Sequence, residues 1–248
     1  MLITHKIFLY WLLYITIIGF CIAISIMLGL PQLVFVHDHS YLSMLLISMY
    51  GLAEILAGKQ VIWLSSLHRS INDTIAWLKS NRLTEIDTDP SGSVTLVSSE
   101  TVFVVKPGIF SNLLISIKEQ EKNDASDSID HGQLIDAFVE NVTRRIYIGD
   151  FIGSRIVWVG ILATIVGVIM AFWPFQEQGM TPDTMKSHLG EFFSGVAVAF
   201  IPTAVSFIFK IALDFNTRII DTGLSEIAEM VMVTDSQYIT PYLNGKSV

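Results

Sequence analysis

The chain has 248 residues, of which 52% are hydrophobic and only 15% charged, with a net charge of −8 and a mean hydropathy of +0.57. Soluble domains carry about 25% charged residues, so the composition points to a membrane protein and away from a soluble globular domain. An acidic balance without a basic cluster argues against nucleic acid as a partner, and the absence of a Walker loop, HExxH, paired CxxC or GxSxG motif argues against an enzyme.

The first apolar run is Ile7 to Leu30. Lys6 before it imitates a signal peptide, but the run exceeds the roughly 7–15 residues of a signal core and matches a spanning helix. Cys21 inside it has no second cysteine to pair with and reads as a small buried hydrophobe. The short loop that follows holds His37-Asp38-His39, two imidazoles without the further ligands a metal site needs. No metal or other cofactor is expected.

The second apolar run is Tyr41 to Leu64 and contains Glu54, with Lys59 five residues on. A carboxylate within a span is a functional candidate by default. Near the cytoplasmic end it also reads as a membrane-edge charge that reaches water or a basic group.

Leu67, Ile71, Ile75 and Leu78 then recur at helical spacing, so the second helix should continue to about Leu83. Asp87 to Gly92 is turn-rich, and Ser93 to Val105 is β-branched enough for a short strand or hairpin. Ile109 to Glu121 reads as a helix, and Asn123 to Asp130 as an acidic loop. From His131 to Asp150 a helix should lead directly into the next span, with Leu134, Ile135, Phe138, Val142 and Ile146 on one face.

The third apolar run is Ile152 to Phe172, with Arg155 near its start. The fourth is Phe192 to Leu213, with Lys210 near its end, and Asp214 to Val233 again reads as a helix. Arg155 and Lys210 are expected to snorkel to the membrane edge. The expected class is therefore an all-α integral membrane protein with four transmembrane helices and long cytoplasmic helical extensions. Its parts are residues 1–64 (two spans), 65–150 (a cytoplasmic segment), 151–213 (two spans) and 214–248 (a C-terminal helix and tail).

Lys and Arg concentrate between the second and third spans and after the fourth, while Pro31 to Ser40 has none and Pro174 to Gly190 only Lys186. The positive-inside rule then sets both termini and the middle segment on the cytoplasmic side of the membrane.

Small residues line the last two spans. Gly153, Gly160 and Gly167 are seven apart, with Ala163, Thr164 and Ala171 near the same face. Gly195, Ala199 and Thr203 are four apart, followed by Ser206. Small residues let helix backbones approach in lipid. The stripes fit packing between the two helices of one subunit, and they fit equally a smooth face toward a partner helix or a pore. Thr164 and Thr203 bond back to carbonyls of their own helices in one reading and line an ion path in the other.

The segment Leu134 to Val142, continuing through Val159-Gly-Ile-Leu-Ala-Thr-Ile-Val-Gly-Val-Ile169, resembles the MotA/TolQ/ExbB proton-channel family. Gly195-Val-Ala-Val-Ala-Phe-Ile-Pro-Thr-Ala-Val205 is similar to that family's next span. The likeness covers about Leu134 to Ile227 and keeps the order of the two motifs. It implies a homopentameric ring around the transmembrane helices of a single-span MotB/TolR/ExbD-like partner, whose membrane aspartate takes up and releases a proton or sodium ion. By position, Thr164 and Thr203 match the family's motif threonines on the ion path, and Gly160, Gly167, Gly195, Ala199 and Ser206 fall on the side facing the partner.

Val198 stands where the TolQ and ExbB branch carries a glutamate, and Pro202 where a small residue or threonine is common. Four spans and no second carboxylate fit the MotA-like arrangement, in which the ring supplies no titrating group of its own. The alternative is a membrane scaffold or sensor on the same fold that does not conduct.

Overall fold

The computed structural model describes residues 6–32, 41–123, 131–173 and 182–246. His37, Asp38 and His39 lie outside the described residues, as does most of the acidic stretch after Asn123.

Among the described residues, four helices are long and apolar enough to cross a membrane. They are α1 (Lys6–Met27), α2 (Leu42–Ser80), α4 (Gly132–Phe172) and α5 (Pro182–Thr234), with α3 (Ile109–Asn123) between α2 and α4. A five-residue π-helical turn, Asp235–Ile239, follows α5 and leads into a short α6 (Thr240–Lys246). All four apolar runs are helical, and the extensions predicted beyond the second, before the third and after the fourth are continuous with them. One boundary moves. α5 begins at Pro182, so part of the expected loop from Pro174 to Gly190 is helix.

The chain divides into two compact units. One comprises Tyr10–Lys59 and Tyr147–Arg218. Its core is Leu46 and Ala53 of α2, Ile156 of α4 and Leu213 of α5, with Tyr50 stacked on Phe209 at 4.4 Å between ring centroids. Phe20, Trp158, Phe200 and Ile208 stay more than half exposed. Apolar side chains turned outward at this density are what a lipid-facing surface presents. Cys21 is among the exposed residues of α1, not buried as its type led us to expect.

The other unit comprises Met1–Leu9, Gln60–Ile146 and Ile219–Val248. Val61, Leu64, Leu67, Ile71, Ile75 and Leu78 form the buried face of α2 here. Leu113, Leu114 and Ile117 of α3 are buried, as are Ile135, Phe138, Val142 and Ile146 of α4. Leu134, placed on the same face by its spacing, is only half-buried. Gly223 of α5 sits so close to Ile7 and Leu64 that a methyl there would lie 2.6 Å from the Ile7 side chain.

The all-α class needs a correction in this unit. Residues 83–105 form a three-stranded antiparallel sheet in the order β1 (Leu83–Thr88), β2 (Val94–Ser98), β3 (Val102–Val105). β2 buries Val94, Leu96 and Ser98 with strand alternation, as the β-branched composition predicted. A turn at Asp89–Ser93 joins β1 to β2, and Gly92 takes φ +80° there, a conformation glycine reaches without strain. The sequence reading ends a helix at Leu83 and begins a turn at Asp87, and assigns nothing to Thr84–Ile86 between them. A bulge between Leu83 and Glu85 breaks its alternation, so its buried residues Leu83 and Ile86 are three apart and imitate a helical repeat.

Candidate functional site

The last two apolar helices meet along their small residues. A methyl built on Gly160 would lie 2.6 Å from the Ser206 Cβ, on Gly167 2.6 Å from the Ala199 Cβ, and on Gly195 2.7 Å from the Ala171 Cβ. These separations are far inside van der Waals contact, so only glycine permits them. Both stripes therefore serve the contact between α4 and α5 within one chain. Gly160, Gly167, Gly195, Ala199 and Ser206 are buried there, and the close approach brings the two threonines together.

Thr164 Oγ1 and Thr203 Oγ1 are 2.5 Å apart. Thr203 Oγ1 lies 2.7 Å from the Gly160 carbonyl of the other helix and 3.0 Å from the Ala199 carbonyl of its own. Thr164 Oγ1 is 3.4 Å from the Gly160 and Ala199 carbonyls. Each hydroxyl has one hydrogen and two lone pairs. One arrangement satisfies both: Thr164 donates to Thr203, and Thr203 donates to Gly160. In this arrangement both hydrogens bond across the helices, with the carbonyls of their own helices as alternative acceptors, and both threonines remain half-buried. Below them Ser206 donates to the Thr203 carbonyl at 2.7 Å. Pro202 lies inside α5, and its missing N–H removes the donor that the Val198 carbonyl would otherwise have.

The three membrane-edge candidates fare differently. Arg155 is exposed and its guanidinium lies 4.7 Å over the Phe151 ring. Lys210 is bonded to Asp214 one turn along α5. Glu54 is turned inward. Tyr14 of α1 donates to its Oε1 at 2.5 Å and Asn216 of α5 donates to its Oε2 at 3.1 Å.

The chain matches no family model, no curated protein and no solved structure. The likeness to the MotA/TolQ/ExbB family rests on the two sequence motifs, and it enters below as a proposal.

Two buried histidines with carboxylate partners were missed by sequence reasoning. His131, ahead of α4, has Nδ1 2.7 Å from Asp235 Oδ1, and Thr240 donates to Asp235 Oδ2 at 3.2 Å. His68 of α2 is buried, with Nε2 3.9 Å from Glu226 Oε2. Burial pushes the His68 imidazole below its ordinary range, and Glu226 offsets part of that. His68 follows Leu67 on a helix read by its apolar repeat, so a polar residue on the buried side was the available signal. Nothing local marks His131, whose partner is 104 residues away. Among the described residues, no three of His, Cys, Asp and Glu gather to hold a metal ion.

Proposed function

We propose that the chain is the ring-forming subunit of an ion-driven motor or energy-transducing complex of the MotA/TolQ/ExbB type. On this reading it is a multi-pass protein of a bacterial inner membrane with both termini cytoplasmic. Five copies surround the transmembrane helices of a single-span partner. Proton or sodium flow through a partner aspartate then moves ring and partner relative to one another.

The observation that carries the reading is the hydroxyl pair Thr164–Thr203, half-buried between the two helices that bear the family-like motifs. With the Thr164 hydrogen on Thr203 and the Thr203 hydrogen on the Gly160 carbonyl, the lone pairs of Thr164 remain to accept from a protonated carboxyl or to solvate a cation. Rotation of that one hydroxyl turns the same oxygen into a donor for an ionised carboxylate. A partner aspartate passing the pair would meet a suitable group in either protonation state. The sequence supplies no other polar group in the third span at this depth.

Thr203→Val removes the bonds to Gly160 and Thr164 while keeping the side-chain shape. Ion flux through the complex, co-expressed with its single-span partner and measured in vesicles, is expected to be lost. Undiminished flux would reject the assignment.

A second reading, a scaffold or sensor that does not conduct, draws support from the small-residue stripes themselves. They are taken up in α4–α5 packing inside the chain, so their presence alone does not require a partner helix. Purification of the chain as a stable ring without a central partner, and without flux, would favour this reading.

A further inference from the structure

We infer that Glu54 is a proton-binding site of this subunit itself, built by α1, α2 and α5 and wired so that it gains and loses a proton without moving heavy atoms. The inference departs from the expectation, drawn from the resemblance, that the ring supplies no titrating group of its own, and it stands on this chain alone. Glu54 lies five residues from Lys59, about 7–8 Å along the helix toward the middle of the apolar run. It is half-buried, and no Lys, Arg or His among the described residues forms an ion pair with it. An unneutralised carboxylate in such surroundings is held by hydrogen bonds or takes up a proton.

The wiring is in Tyr14. Its hydroxyl has one hydrogen and two acceptors within reach, Glu54 Oε1 at 2.5 Å and the Ala212 carbonyl at 2.9 Å. When Glu54 is ionised, Tyr14 donates to Oε1 and Asn216 donates to Oε2. When a hydronium delivers a proton to Oε1 and leaves as water, the new carboxyl O–H donates to the Tyr14 oxygen, and the Tyr14 hydrogen swings to the Ala212 carbonyl. Asn216 continues to donate to Oε2. Only the O–H bond of the delivering hydronium breaks, and the cluster changes from −1 to neutral. A carboxylate held merely as a structural tie needs one acceptor for Tyr14, and here there are two.

Two further oxygens fit a site that handles protons. Asn216 Oδ1 is buried without a hydrogen-bond partner among the described residues, and the Tyr50 hydroxyl adds a third phenol or carboxyl oxygen to the cluster. Asn216 is 1% exposed, and Tyr50 lies beside both Tyr14 and Glu54. Three other charges near this level have contacts of their own: on α5 Lys210 and Asp214, which flank Ala212 in sequence, are bonded to each other, and on α4 Arg155 lies over Phe151.

The test is infrared difference spectroscopy on the full chain in lipid, stepped between alkaline and acidic buffer. A protonated-carboxyl band should appear on acidification, together with a shift in a tyrosine C–O band as the hydroxyl changes acceptor. Glu54→Gln should abolish the carboxyl band. Tyr14→Phe should keep it but move it to the higher frequency of a weakly bonded carboxyl. That second variant keeps the inference testable if Glu54→Gln does not fold. A difference spectrum unchanged by Glu54→Gln, or a carboxyl band unmoved by Tyr14→Phe, would overturn it. Neither measurement involves a partner or ion flux, so this inference and the motor assignment fail independently.

Discussion

Gly167 and Ala199 meet with so little room that a methyl on Gly167 would overlap the Ala199 backbone and side chain. Lipid gives apolar helices no hydrophobic reason to associate, so van der Waals contact of this kind, with hydrogen bonds, holds them. Gly167→Ala is therefore expected to destabilise the folded protein by about 1–3 kcal/mol, the usual range for overpacking. Gly51→Ala is the control, because nothing lies within 4 Å of that position. Unfolding in mixed micelles should separate the two. Equal stability of both variants would mean that the helices pack differently.

The threonine pair can be weighed without any ion. A double-mutant cycle of Thr164→Val and Thr203→Val isolates the bond between them from the bonds each makes to carbonyls. Interhelical hydrogen bonds in membrane proteins average about 0.6 kcal/mol and reach about 1.7. At 2.5 Å the Thr164–Thr203 contact should fall in the upper half of that span. A coupling indistinguishable from zero would show that the hydroxyls bond carbonyls and not each other.

The long apolar helices were legible because length and composition alone decide them. Leu67, Ile71, Ile75 and Leu78 kept their spacing and are buried. The motif residues were also legible, since glycine and threonine at fixed intervals already imply close helices. What they approach was not. The spacing of Gly160 and Gly167 is equally good for a neighbour in the same chain or in another. Glu54 was visible as an intramembrane acid, whereas its ties to Tyr14 and Asn216 span 40 and 162 residues. Such pairings depend on how helices rotate against each other, which no local pattern encodes. Strand β1 was lost for the opposite reason, because its bulge wrote a helical spacing into an extended segment.

Acid should weaken the unit that contains His68. Burial lowers its folded-state pKa below the unfolded value of about 6.5. The unfolded chain then binds more protons than the folded one in the window below about pH 6.5, so stability is full above that pH and falls as pH drops toward the lowered folded value. His68→Gln, which cannot titrate, should flatten this part of the profile and leave other acid-sensitive groups in place. Denaturation midpoints measured from about pH 8 to about pH 5 test it. A profile identical in wild type and variant would remove His68 as a cause.

The His131–Asp235 pair should govern the C-terminal turn. Asp235 begins the π-helical turn and accepts from Thr240, the first residue of α6, while its other oxygen is 2.7 Å from His131. Asp235→Ala strips a 4%-exposed imidazole of that partner, and Nε2 of the same ring already has none among the described residues. Leaving buried polar groups unsatisfied costs about 1–3 kcal/mol. The loss should appear locally, as faster amide exchange across Asp235–Ile239 and α6, with little change in the apolar helices. Asp235→Asn, which keeps an acceptor oxygen, should recover most of the protection. If exchange in the turn were unaffected by Asp235→Ala, the apolar contacts of Ile239 and Leu243 would be holding it without the pair.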